Sequence, residues 1–148
     1  NQFSNFAFAD MRFEQRYEAG TVIQVTSEQA TFDASKRMLT LDQPFFIYTD
    51  RKTPPQTIKA NGNEGLIEIT DTGAETGLPT EFSELMLTGD AFAQGENWSV
   101  ASSKLIFNNK ESRIYFPEKS VIRQKGSRST LTGFMYLIES QTMKPISK

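Results

Sequence analysis

Two stretches of the sequence, VTSEQATFD at residues 25–33 and VASSKLIFN at residues 100–108, decide the fold class. They share Val, Ser and Phe at three equivalent positions, 75 residues apart. In both stretches apolar and polar residues alternate with the period of a half-buried β-strand. The alternation changes phase between Ser27 and Ala30, and again between Ser102 and Leu105. Each phase change predicts a bulge or bend that curls a β-sheet.

The duplication extends beyond these strands. GNEGLIE at residues 62–68 matches GFMYLIE at residues 133–139, now 71 residues apart. The four-residue difference falls between Tyr48 and Ile58, where the first copy carries RKTPP. The deletion therefore lies in a predicted hairpin connection. Two stacked copies would bury a continuous interior that neither copy buries alone.

The rest of the chain has the same character, with twelve Phe and four Tyr among many Thr, Ile and Val. This composition favours strands, and segments rich in Gly, Pro, Asn and Asp separate them. The predicted strands are residues 6–17, 21–32, 37–49, 56–69, 82–94, 97–107, 112–124 and 129–140. We therefore predict an all-β, meandering antiparallel sheet that is folded over or closed into a roll, with helix limited to a turn or two.

Composition excludes several classes of function. The 148 residues fit one domain and include no Cys and no His, which excludes disulfides, thiolate nucleophiles, histidine-dependent triads and Cys or His zinc sites. The formal charge of -2 gives no indication of nucleic acid as a partner. Residues 60–103 carry eight acidic and no basic side chains, whereas residues 104–148 carry nine basic and three acidic ones. This asymmetry suggests opposed surface patches, or solvated faces with chance clustering.

One short motif resembles a catalytic signature. DTGA at residues 71–74 occurs in retropepsin-like aspartic proteases, in which two carboxylates share a proton to activate water. The apolar pair followed by Gly that braces the catalytic loop of that family does not follow here. A polar, glycine-rich turn in the acidic stretch 71–81 is therefore favoured, and we predict no catalytic residue and no enzymatic activity.

The single tryptophan, Trp98, allows two interpretations. At a strand start it can stack on a sugar, which would make the chain a sugar-binding jelly roll. Among so many phenylalanines, a core anchor is the favoured interpretation.

Six segments together resemble the LptC family of periplasmic lipopolysaccharide export proteins and, more distantly, LptA and OstA-like domains. They are YEAG at 17–20, SxxAxFD at 27–33, LxLDxP at 39–44, LxLxGxA at 85–91, SxxLxF at 102–107 and LTGFM at 131–135. YEAG and LDxP favour LptC over the alternative, an LptA-like bridge protein.

The resemblance implies a twisted antiparallel β-jelly roll of two pseudo-repeats, open at both ends, as a single periplasmic domain over residues 1–148. It implies that the chain accepts lipopolysaccharide from an inner-membrane ABC transporter and passes it to LptA. Family members carry an N-terminal helix that tethers them to the inner membrane. The sequence begins at Asn1, and we expect the protein to be periplasmic and tethered to the inner membrane by such a helix, which is missing from these 148 residues. No metal or cofactor is implied.

Strand parity gives the residues expected to line the acyl groove under this interpretation. They are Ala30, Phe32, Leu39, Leu41, Leu85, Leu87, Leu105, Phe107, Ile114, Phe116, Leu131 and Gly133. The opposite parity would turn several of them outward. The expected contacts to the phosphorylated sugars, or else a solvated rim, are Lys119, Arg123, Lys125 and Arg128.

The two edge strands are the expected docking sites. Residues 129–140 carry a single charge, Glu139, and no proline, so this edge is unprotected. Residues 6–17 carry Asp10, Arg12, Glu14 and Arg16. We predict that the C-terminal edge pairs with LptA by strand addition and that the N-terminal edge faces the transporter.

Overall fold

A computed structural model describes residues 5–75 and 79–146 as strands and turns, with no helix among them. Within these ranges no helix is long and apolar enough to cross a membrane. The strands are β1 (Asn5–Arg16), β2 (Val22–Asp33), β3 (Met38–Asp42), β4 (Phe45–Thr49), β5 (Thr57–Asn61), β6 (Glu64–Thr72), β7 (Pro79–Gln94), β8 (Trp98–Asn108), β9 (Arg113–Gln124), β10 (Ser127–Leu137) and β11 (Thr142–Pro145). The predicted all-β antiparallel fold is confirmed.

Two predicted strands are each divided into two, and a third ends three residues early. Residues 37–49 form β3 and β4, because Gln43 adopts a φ of 49° and Pro44 has no N–H for the ladder. Residues 56–69 form β5 and β6 on either side of Gly62, and residues 129–140 leave the sheet after Leu137 before β11 begins. Residues with high strand propensity occur on both sides of each break. Local propensity therefore predicted a continuous strand at positions where the chain turns.

Two long strands organise the pairing. On one side β2 pairs with β1. On the other side β2 pairs with β4 from Val22 to Thr26 and with β3 from Gln29 to Asp33. β7 pairs in the same divided way with β6 and β5, and with β8 on its far side. From β2 to β7 the sheet therefore follows two routes, one through β4 and β5 and the other through β3 and β6.

A line of irregular residues runs across the strands between these two routes. Asp10, Gly89, Asp90 and Gly133 have positive φ angles, and the β8–β9 register shifts just beyond Ser102. Since these positions neighbour one another from strand to strand, the whole sheet folds along this line, called the bend below. The bends predicted at Ser27 and Ser102 are confirmed.

The bend divides the sheet into two layers that face each other. The long strands β1, β2 and β7 to β10 cross the bend, so each contributes one half to either layer. The first layer contains β4, β5 and the halves of the long strands on their side of the bend. The second layer contains β3, β6, β11 and the remaining halves. Phe107 of the second layer lies with its ring centroid 4.8 Å from that of Phe46 in the first. Phe13 and Phe82 also meet across the layers, at 5.6 Å. The core lies between the layers and draws on β1 to β10.

The roll is open at both ends of the strand order. Among the described residues β1 pairs only with β2, so its outer edge has no neighbouring strand there. At the other end, β11 covers β10 only from Phe134 to Leu137. The first half of β10, Ser127 to Thr132, pairs with β9 alone in the described structure. The unprotected edge predicted for residues 129–140 is thus open over its first half and covered by β11 over its second.

Candidate functional site: the interior, its two mouths and the seam

The inner face of the roll gathers most of the expected groove residues. Ten of the twelve have less than a tenth of their surface exposed and line the interior: Ala30, Phe32, Leu39, Leu41, Leu85, Leu87, Leu105, Phe107, Ile114 and Phe116. The parity assumed for these ten residues is therefore the parity of the structure. Their contact with a lipid stays a prediction.

The other two expected residues lie where the roll opens at β10. Leu131 is opposite Ser120, which is buried, so its side chain is on the inner side of the sheet. It is nevertheless 49% exposed, because none of the described strands lies beyond this half of β10. Gly133 lies at the bend with a φ of 76°. We call this end the C-terminal mouth.

The opposite end, at β1, also presents apolar side chains from the inner side. Phe6 is opposite Phe32, stacks on it at 6.3 Å between centroids, and is 39% exposed. Beside it is a cavity of about 300 Å³ whose lining includes Phe8, Met11 and Leu39. We call this end the N-terminal mouth. None of the residues expected from the sequence to line the groove lies in β1. Phe6 and Phe8 could have indicated it, because residues two positions apart lie on the same face of a strand.

Opposite the bend, the strand connections of the two layers meet along a seam. The Asn109 side-chain amide donates to the Tyr17 hydroxyl at 2.6 Å. The Tyr136 hydroxyl donates to Gln56 Oε1 at 2.7 Å, and Gln56 Nε2 donates to the Ile138 carbonyl at 3.1 Å. Burial raises the pKa of the Tyr17 and Tyr136 hydroxyls, so both stay protonated at neutral pH.

A buried carboxylate fixes the first-layer side of the seam. Asp50 accepts hydrogen bonds from the backbone N–H of Gln56 at 3.1 Å, its side-chain amide at 3.2 Å, and the Lys52 N–H at 3.2 Å. Burial raises the pKa of the nearby Tyr48, and the negative charge of Asp50 raises it further. Asp50 therefore shapes the long β4–β5 connection, the segment that the second repeat lacks.

A cavity of about 590 Å³ opens at this seam. Trp98 and Tyr136 form an aromatic part of its wall, with ring centroids 4.4 Å apart. The remainder is mostly polar and comes from the β4–β5, β7–β8 and β9–β10 connections and from Gln141. Trp98 is half-buried and packs against the core, in agreement with the interpretation favoured from the sequence; stacking of a sugar on it stays a prediction.

Three of the four basic residues expected at the headgroup lie together. Arg123 and Arg128 are directly opposite each other on β9 and β10, and Lys125 lies in the turn between them. All three line a shallow cavity of about 400 Å³ that also contacts Trp98. Lys119 is separate: it pairs with Thr132 at the bend, four residues before Arg123. Strand periodicity of about 3.3 Å per residue puts it roughly 13 Å away.

The protease-like motif lies at an exposed strand end. Asp71 is exposed near the end of β6, and its carboxylate accepts the Thr72 N–H at 2.9 Å. It is opposite Glu81 of β7. Residues 76–78 of the acidic stretch lie outside the described residues. This arrangement is a polar strand end and turn, as favoured from the sequence.

Comparison with known proteins gives a likeness in structure but not in sequence. No protein-family model matches the chain, and no curated protein matches it. The structure is similar to a crystal structure of LptH, the LptA-homologous periplasmic component of the lipopolysaccharide transport device from Pseudomonas aeruginosa. The TM-score is 0.59 over 83% of this chain and 80% of that chain, at 13% identity. The two chains share a fold, the LptA-like β-jelly roll.

Proposed function

We propose that this chain is a periplasmic component of lipopolysaccharide transport that holds acyl chains between its two layers and passes them along the roll. The observation that carries the proposal is an apolar inner face that reaches solvent at both mouths, through Phe6 and Leu131. The fold shared with LptH, itself a component of such a transport device, supports the same role.

Burial of acyl chains supplies the driving force, at about 25 cal/mol for each Å² of apolar surface removed from water. The inner side chains are closely packed, so a chain needs a place to enter. The cavity beside Phe8, Met11 and Leu39 is already open. The layers then part at the seam, which is held by separate side-chain hydrogen bonds, whereas continuous strands cross the bend.

The two mouths have different edges, which suggests different partners. In the part of the chain that the structure describes, the outer edge of the first half of β10 has no paired strand and presents the exposed Leu131, a surface suited to strand addition by LptA. β1 carries charged side chains along its edge, with an Arg16–Glu14 ion pair, and would face the transporter. One apolar groove would then run through three proteins.

The place of the chain in the transport sequence has two versions. A relay of the LptC kind would be tethered to the inner membrane and receive lipid directly from the transporter. A bridge of the LptA kind would be a soluble periplasmic protein. The sequence segments at 17–20 and 39–44 favour the first, and the structural likeness to an LptA homologue favours the second.

Photo-crosslinking from inside and outside the roll tests the proposal. A photoreactive amino acid replaces Phe32, Leu41 or Phe107 on the inner face, and Thr31 or Thr40 serves as the matched outer control on the same strands. Lipopolysaccharide should be captured from the inner positions. Capture from the outer positions alone, or from neither set, would contradict binding between the layers.

A second experiment tests the edge assignment. Leu131→Asp places a charge on the open half of β10 and should reduce capture of LptA at least tenfold, with little change in folding. Lys144→Asp, on the β11 segment that covers the other half, is the matched control. Equal capture by both variants would rule out this edge.

The protease-like motif gives a further test. Asp71→Asn should leave lipid transfer unchanged, because no carboxylate chemistry takes part.

A further inference from the structure

The seam cavity, as we call the 590 Å³ cavity around Trp98 and Tyr136, has chemistry unlike that of the interior. The interior is lined mainly by aliphatic and aromatic side chains, and the cavity at the N-terminal mouth is lined mainly by apolar side chains, with Asp10 and Arg12 beside them. The seam cavity instead combines two aromatic rings with several amide groups. A hydrocarbon chain there would cover the exposed amides of Asn97, Gln124 and Gln141 without offering them hydrogen bonds, which is unfavourable.

The aromatic part of the wall is held in place before any ligand arrives. The Tyr136 hydroxyl is bonded to Gln56, whose own amide is bonded to Asp50 and to the Ile138 carbonyl. Trp98 lies against Gly95, where a Cβ would overlap the indole nitrogen. A fixed aromatic surface loses little conformational entropy on binding.

The polar part of the wall can both donate and accept hydrogen bonds. Gln124, Gln141 and Asn97 contribute side-chain amides, and each amide has a carbonyl oxygen and an NH₂ group. Lys125 adds a cation from the β9–β10 turn, and Arg123 and Arg128 lie just outside, around the adjoining shallow cavity; Glu96 is the acidic side chain that lines both cavities, against three basic ones. Amides beside an aromatic surface match a pyranose ring, which has hydroxyl groups at its rim and C–H groups on its faces. The cations match an attached phosphate.

We propose that the seam cavity is a saccharide site, in which a sugar ring packs against Trp98 and Tyr136 and its hydroxyls bond the surrounding amides. A phosphate on the sugar is held by Lys125. The identification of this sugar as the headgroup of the same lipid whose acyl chains lie between the layers rests on the proposed function. The cavity opens along the seam through which those chains would enter.

Trp98 is the only tryptophan, so tryptophan fluorescence reports on the seam cavity and the adjoining shallow cavity, both of which it lines. The probes are N-acetylglucosamine, glucosamine 1-phosphate and inorganic phosphate, each free of lipid. We expect a saturable change of emission with both sugars, with dissociation constants of about 1–10 mM, and tighter binding of the phosphorylated one. Two results would overturn the proposal. One is the absence of a saturable change with either sugar at concentrations up to 100-fold above that range, and the other is an equal response to inorganic phosphate alone.

Variants locate the site. Gln124→Ala and Gln141→Ala should each weaken sugar binding about 5–10-fold, the equivalent of one lost hydrogen bond. Gln29→Ala, an exposed glutamine on β2, is the matched control and should change nothing. Gly95→Ala should displace the indole and abolish binding without removing the fluorophore. Wild-type affinity in all three cavity variants would contradict the assignment.

The two proposals can fail separately. If lipid is captured at Phe32 and Phe107 but the sugars do not bind, the transport role stands and the saccharide site is wrong. If the sugars bind and no lipid is captured from the interior, the saccharide site stands and the transport role is wrong.

Discussion

The two repeats have the same sequence pattern but different neighbours. In the first repeat, β2 to β6, the last strands β5 and β6 continue the sheet into β7. In the second, β8 to β11, the last long strand β10 is left open from Ser127 to Thr132. The same pattern therefore yields a covered strand or an open edge, according to whether the chain supplies another strand. The open edge is where a partner can add one.

The largest expected difference between the repeats concerns Ala60 and Leu131, which are equivalent at the 71-residue offset. Ala60 is 2% exposed and its strand pairs on both sides. Ala60→Lys would bury a charge without a partner and should unfold the protein. Leu131→Lys should change the free energy of unfolding by no more than about 0.5 kcal/mol, because the side chain remains in water. Urea denaturation of both variants measures the contrast; similar stabilities would mean that the C-terminal edge is not open.

A second contrast compares Phe107 with its equivalent, Phe32. Phe107 contacts Phe46 and Tyr48 across the layers and Phe82 within its own layer. Phe107→Ala should lower the free energy of unfolding by about 3–5 kcal/mol, since it leaves a cavity between the layers. Phe32→Ala should cost less, because its neighbour Phe6 at the N-terminal mouth is partly exposed and can settle into the space. An equal loss in guanidinium denaturation would show that the N-terminal mouth is as rigid as the centre.

The equivalent serines at the bend differ in what they hold. The Ser27 hydroxyl lies 2.6 Å from the Gln29 carbonyl and 2.7 Å from the Asp42 carbonyl, and it accepts the Asp42 N–H. Ser102 bonds only within its own strand, to Lys104, in the part of the chain described. Ser27→Ala should therefore cost about 1–3 kcal/mol and Ser102→Ala about 0.5–1.5 kcal/mol. Thermal unfolding of both variants shows which substitution costs more stability. A larger loss for Ser102→Ala would contradict the conclusion that the Ser27 hydroxyl joins β2 to β3.

The smallest effect is the alkaline pH dependence of stability, to which each repeat contributes one buried tyrosine. Burial raises the pKa of Tyr48 and Tyr136 in the folded state above the unfolded value of about 10. Above that pH the unfolded chain loses protons that the folded chain keeps, so stability falls as pH rises. Denaturation between pH 9 and 12 should show a shallower fall for Tyr48→Phe than for wild type. Tyr115→Phe, on the outer face, is the control, and an equal change in both variants would rule out burial as the cause.

The sequence by itself determined which side chains share one face of each strand, whereas the structure showed that this face is the inner one. Alternation fixes the face on which a residue lies, and the shift of phase at Ser27 and Ser102 fixed the bends, because both are local properties of an extended chain. The loop difference between the repeats was local as well, and it lies in the β4–β5 connection as predicted. The proximity of Arg123, Lys125 and Arg128 is a local property too, since a two-residue turn brings them together.

Only the tertiary structure decided how the layers meet. Gln56 and Tyr136 are 80 residues apart, and no pattern in either segment indicates that their side chains are bonded at a seam. The exposure of Leu131 at a mouth, and the cover that β11 gives to half of β10, likewise depend on which strands lie next to one another. Alternation sets the direction of each side chain relative to its own strand. Contacts between the layers depend on how the whole sheet folds along the bend. That folding is the sum of small rotations between many neighbouring strands, and no single segment specifies it.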